Sequence, residues 1–140
     1  MKAAVGLACA CFSVLLGTTA SAHHSLALFE TTAPVTLHGV VKRVDWRSPH
    51  TLIFLETKGA DGPTEWRVET VPNSWLINRA GWTIDSVKAG DPVTLELYVY
   101  SDAAIKYGFL LRVTKADGKV WSSPLDIGRR GQREEAERAK

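Results

Sequence analysis

Val35-Thr36-Leu37-His38-Gly39-Val40-Val41-Lys42-Arg43-Val44-Asp45-Trp46 is the stretch whose reading decides the fold. It is rich in valine and alternates apolar with polar residues, as a half-buried strand does. The alternation slips: Val35, Leu37 and Val41 share one parity, Val44 and Trp46 the other. A one-residue slip turns every later side chain to the opposite face, so the sequence predicts a bulge or sharp coil beside Gly39. A long bent strand of this kind can serve two halves of a small closed sheet.

The residues that follow support this reading. Ser48-Pro49 breaks the chain, and Leu52-Ile53-Phe54-Leu55 is a continuous apolar run suited to a strand buried on both sides. Gly59-Ala60-Asp61-Gly62-Pro63 reads as a turn into a third strand, Thr64 to Val71, with Trp66 and Val68 facing the core. Pro72 to Ala80 reads as a short helix closed by Gly81. Val93, Leu95, Leu97 and Val99 then alternate, as do Ile105, Tyr107, Phe109, Leu111 and Val113, before a short segment at Lys119-Val120-Trp121. Three strands, a helix and two strands is the order of an OB-fold. The expectation is an all-β domain over 23–123, a small OB-like five-stranded barrel with one short helix between strands three and four. An open meander sandwich is the alternative. The tail 124–140 is dominated by charge, so it is expected to be disordered, with a weak helical tendency at Glu134 to Lys140.

Upstream of the domain, residues 1–22 read as a secretory signal peptide. Lys2 is followed by an uncharged apolar stretch to Gly17 and by small residues ending in Ala20-Ser21-Ala22. The apolar stretch falls short of the roughly 20 residues of a membrane span. An uncleaved anchor is the alternative, and no membrane span is expected after cleavage. Cys9 and Cys11 both lie in this leader, so the chain from 23 onward has no disulfide, thiolate metal site or cysteine nucleophile. The periplasm, or secretion, is the expected location. Cleavage removes only Lys2 from 17 basic residues set against 15 acidic ones, and such a balance does not point to nucleic acid or a membrane surface.

Cleavage after Ala22 would leave His23 first. Its terminal amine and imidazole Nδ1 can then chelate one metal, and a third nitrogen completes a T-shaped set of the kind called a histidine brace. Cu(II) favours tetragonal nitrogen ligation, and an amine titrating near pH ~8 can release its proton to a metal. An ordinary disordered terminus is the competing reading. His50, in Trp46-Arg47-Ser48-Pro49-His50 at the corner between strands one and two, is the favoured third ligand; it could also simply hydrogen-bond its own turn. His24 is a further candidate, through its imidazole and the intervening amide. His38, in mid-strand, reads as a surface or packing histidine. Trp46 could wall the site, and Glu69 could supply an oxygen that orients a ligand histidine. The parity of Glu69, opposite Trp66, points instead to a surface carboxylate.

Other chemistries are poorly served. The sequence has no glycine-rich phosphate loop, no Gly-x-Ser-x-Gly elbow and no basic groove interleaved with aromatics. The five tryptophans read mainly as core, although they could also form a binding face.

Ala22-His23-His24-Ser25 after a leader, Val35-Thr36-Leu37-x-Gly39-x-Val41, Trp46-x-x-Pro49-His50, Trp66-x-x-Glu69 and Leu76-x-x-x-x-Gly81-Trp82, with Gly90 and Asp91, resemble the domain of unknown function 6152 family of small exported bacterial proteins. Ser48 stands where an asparagine is expected before Pro49. The resemblance implies export and supports the fold, but it supplies no activity. Copper binding, storage or handover is the leading functional expectation from the residues. A metal-free tryptophan-rich module that binds a protein or envelope component is the alternative, and catalysis ranks third.

Overall fold

The valine-rich stretch forms the centre of an 18-residue strand, β1 (Phe29–Trp46). The computed structural model describes residues 26–139, so the leader, His23 and His24 lie outside the described residues. β1 pairs with β4 (Pro92–Tyr100) along its first part and with β2 (His50–Gly59) along its second. Gly39 lies in both ladders, opposite Thr57 of β2 and Val93 of β4. The register slips between Val41 and Arg43, a few residues beyond the glycine where the bulge was expected. This slip explains the sequence pattern. Val41 is buried before it, and Val44 and Trp46 pack against the core after it.

β2 turns tightly at Gly59 and Gly62 into β3 (Gly62–Pro72). The sheet runs β3-β2-β1-β4-β5-β6, where β5 is Tyr107–Lys115 and β6 is Val120–Ser122. β3 also pairs in parallel with β5, so the pairings of the first five strands return on themselves. The described residues are therefore mostly β and mainly antiparallel, with six strands among them rather than the expected five. The sixth adds to β5, and its three residues are too few to give an alternation signal.

The core is drawn from every long strand. Ile53 and Leu55, Val68, Leu95 and Leu97, and Leu110, Leu111 and Val113 are all fully buried. Phe54 faces outward yet is covered, because the Arg43 guanidinium sits 3.3 Å above its ring. α1 (Asn73–Ala80) caps the core with Leu76 and ends at Gly81, whose φ of 68° is the left-handed conformation that glycine accepts without strain. The tryptophans serve mainly as packing. Trp82 is buried, Trp46, Trp66 and Trp121 lie against the core, and only Trp75 is exposed.

The stretch expected to be a disordered tail forms a helix instead, α2 (Pro124–Arg138). Its start carries the reason. Ser123 caps it by accepting from the Asp126 N–H at 3.3 Å, and Pro124 stands at the first helical position. Asp126 is fully buried; it accepts from the Ser122 hydroxyl at 3.0 Å and lies 3.8 Å from Arg112 Nε and 3.7 Å from Arg129 Nη2. Arg112 also grips Glu96 at 2.6 Å. That hydrogen bond, opposed by burial and reinforced by the charges of Glu96 and Asp126, holds its pKa above the usual guanidinium value. Composition signals solvation here, but one capped and ion-paired turn is enough to dock the helix. Ser123→Ala should cost about 1 kcal/mol of stability, measured by urea unfolding, with a loss of helical circular dichroism from α2.

Candidate functional site

The corner that carries His50 is fastened from three directions. The Asn73 backbone N–H donates to the Pro49 carbonyl at 2.9 Å, and its side-chain nitrogen donates to the Arg47 carbonyl at 3.0 Å. Thr51 Oγ1 donates to Asn73 Oδ1 at 2.8 Å. The register between β2 and β3 slips between His50 and Leu52, where Thr70 bridges the irregularity: its Oγ1 accepts from the Thr51 N–H at 3.2 Å and donates to the Val71 carbonyl at 2.8 Å. The Ser48–Pro49 peptide is cis.

This framework sets the chemistry of His50. Its Nδ1 lies 2.6 Å from the Thr70 carbonyl oxygen. A carbonyl only accepts, so Nδ1 carries the proton and donates, and in the neutral ring Nε2 holds the lone pair. Glu69 Oε1 lies 3.3 Å from the same Nδ1, and Glu69 Oε2 accepts from the Tyr107 hydroxyl. The Tyr107 ring is packed beside Phe29 at 5.6 Å and Tyr100 at 6.0 Å, with the Arg67 guanidinium 4.5 Å above it. His50, Glu69, Tyr107 and Arg67 line a cleft of about 240 Å³ together with Arg47, Ser48, Pro49 and Leu52.

Two expectations change here. Glu69 is not a surface carboxylate, since it is only 4% exposed. Strand parity fails at this position because His50, from β2, and Tyr107, from β5, cover the face that would otherwise meet solvent. Trp46 does not line the cleft; it packs against the core edge with its buried Nε1 lacking a hydrogen-bond partner among the described residues. His38 stays on the surface, 2.9 Å from Thr94 Oγ1. Among the described residues, no group of three or more His, Asp or Glu side chains could hold a metal ion.

Sequence reading missed Tyr107 and Arg67. The available signal was a tyrosine within an apolar alternation, whose hydroxyl needs an acceptor once buried. The partner depends on the parallel pairing of β3 with β5, which places Tyr107 opposite Arg67.

A family model described as a family of unknown function (DUF6152) matches residues 11–107. The chain belongs to this family. The DUF6152 match takes in β1 to β4, the His50 corner and Glu69, and ends at Tyr107; β6 and α2 follow it. No curated protein and no solved structure matches the chain.

Proposed function

We propose that this protein is exported to the periplasm and binds copper through His50 and the amine and imidazole of His23. Copper binding, storage or handover is the role. The observation that carries the reading is the backbone grip on His50: a carbonyl at 2.6 Å assigns the proton to Nδ1, and the lone pair of the neutral ring, the form a metal takes, is then on Nε2. One histidine cannot hold Cu(II) alone, so the remaining nitrogens come from His23, with His24 as a further donor. The leader pattern ending at Ala22 supports this, because cleavage there would create the amine ligand. We further infer that the first five strands form an OB-like barrel. The returning ring of pairings and the helix between β3 and β4 support that topology. A binding face of tryptophans is less well supported, because Trp75 alone of the five is exposed.

Intact mass of the exported protein should show His23 as the first residue. Copper titration followed by EPR should then give nitrogen hyperfine structure from three ligands. His50→Ala should weaken Cu(II) binding at least tenfold, about 1.4 kcal/mol, and reduce the copper-dependent rise in melting temperature. A mature chain beginning at Ser21, or an affinity indifferent to His50→Ala, would exclude the brace.

A further inference from the structure

We propose that the groove between α2 and the start of β1 binds a single-chain anionic amphiphile, a long-chain carboxylate. The inference is independent of the copper reading, because this groove and the His50 cleft share no lining residue. Its volume is about 620 Å³, within the roughly 300–1,000 Å³ of small-molecule sites. It lies over Tyr98 of β4 and Leu111 of β5, with Phe29 on the β1 side and Leu125, Gly128 and Arg129 on the helix side. Phe29, Tyr98 and Leu111 belong to the hydrophobic core, so the groove reaches the core rather than skirting the surface. Such a lining suits an alkyl chain.

The head group is set by the one charge in the lining, Arg129, which has no acid beside it there. That arginine is poorly satisfied. Asp126 Oδ1 lies 3.7 Å from its Nη2, too far for a hydrogen bond, and its Nε has no hydrogen-bond partner among the described residues. Asp126 is also shared with Arg112, at 3.8 Å. The Arg129 guanidinium carbon lies 5.8 Å from the centre of the Tyr98 ring. Tyr98 is only 7% exposed, yet no hydrogen bond engages its hydroxyl among the described residues. A carboxylate only accepts, and it would answer both donors with charge-assisted bonds. A neutral apolar ligand would leave them unanswered, and a small inorganic anion would leave the apolar floor uncovered. The residues between Ala22 and Leu26 are His23, His24 and Ser25, which supply neither an alkyl surface nor an anion. Gly128 keeps the helix side open. Glycine within a helix is destabilising relative to alanine, yet nothing outside its own helix lies within 4 Å of where its Cβ would be.

The test titrates the delipidated mature protein by calorimetry with dodecanoate below its micellar concentration. Saturable binding is expected, tightening about fourfold per methylene from octanoate to dodecanoate. Dodecanol keeps the chain without the charge and should bind about tenfold more weakly or worse. Arg129→Gln should weaken dodecanoate about tenfold and leave dodecanol unchanged. Gly128→Leu should lower dodecanoate affinity by about tenfold or more, while the ligand-free melting temperature holds or rises, because leucine is the better helix former. That pairing separates a blocked groove from an unfolded one. No saturable binding, equal affinity for dodecanoate and dodecanol, or affinity indifferent to Gly128→Leu would overturn the proposal. Association with anionic vesicles without uptake of monomeric dodecanoate would also overturn it, making this face a membrane contact. So would binding confined to protein stripped of an uncleaved leader, whose apolar stretch would then be the occupant.

Discussion

Trp82→Ala should lower the free energy of unfolding by about 3–5 kcal/mol, measured by chemical denaturation. Trp82 is 1% exposed and follows the Gly81 cap, where its N–H donates to the Leu76 carbonyl at 3.0 Å. Its indole Nε1 donates to the Ser122 carbonyl at 2.9 Å, and its ring centre is 5.9 Å from that of Trp121. The side chain thus joins the end of α1 to β6, immediately before the Ser123 cap of α2. Alanine would remove the packed ring and leave a void, and it would also leave the Ser122 carbonyl without its donor. Trp82→Phe separates the two effects: it keeps much of the apolar surface and should cost about 1 kcal/mol for the lost hydrogen bond, plus a smaller cavity term. If alanine cost no more than phenylalanine, collapse around the site would have replaced the packing, and Trp82 would not be the joint between the two ends.

The strands were legible in proportion to their burial on one face. Val93, Leu95 and Leu97 alternate because β4 has a single core face, and all three are buried. Leu52 to Leu55 reads as an unbroken apolar run because Arg43 roofs Phe54 on the outer side. The slip in β1 was also legible, but not its position. Glycine contributes no side chain to either face, so the pattern between Leu37 and Val44 fits a bulge at several residues. α2 was illegible for a different reason. Its attachment depends on Ser123, Asp126 and the two arginines beside that carboxylate, which composition counts only as polar.

The same division runs through the site. His50 could be picked out because a Pro-His corner between two strands is a local feature. Glu69 was misjudged because parity assumes that a strand has one open face, and here that face is covered by the side chains of His50 from β2 and Tyr107 from β5. Tyr107 lies far along the chain from Glu69, and only tertiary pairing brings them together. Local pattern found the candidate histidine, whereas the groups packed around it required the fold.

Gly39→Ala should destabilise the protein by about 3 kcal/mol, at the upper end of ordinary overpacking. The sign is not obvious in advance. Alanine restricts the unfolded chain more than glycine does, and that alone would stabilise the fold by about 0.4–1 kcal/mol. A Cβ at residue 39, however, would lie 2.2 Å from the Glu56 carbonyl oxygen and 3.0 Å from Leu55 Cγ. The nearer atom is backbone of β2, in the ladder that pairs Gly39 with Thr57 and Val40 with Glu56, so it cannot swing aside as a side-chain tip would. Nor can β1 retreat, because Gly39 is also paired to Val93 of β4 on its other edge. The steric term therefore wins. Relief would have to come from opening one of the two ladders that meet at this residue. Urea unfolding should report the loss of stability, and hydrogen exchange should show faster opening at Thr57 and Val93 than in distant β6. Stability equal to or above wild type would mean that the two ladders do not clamp β1 at Gly39.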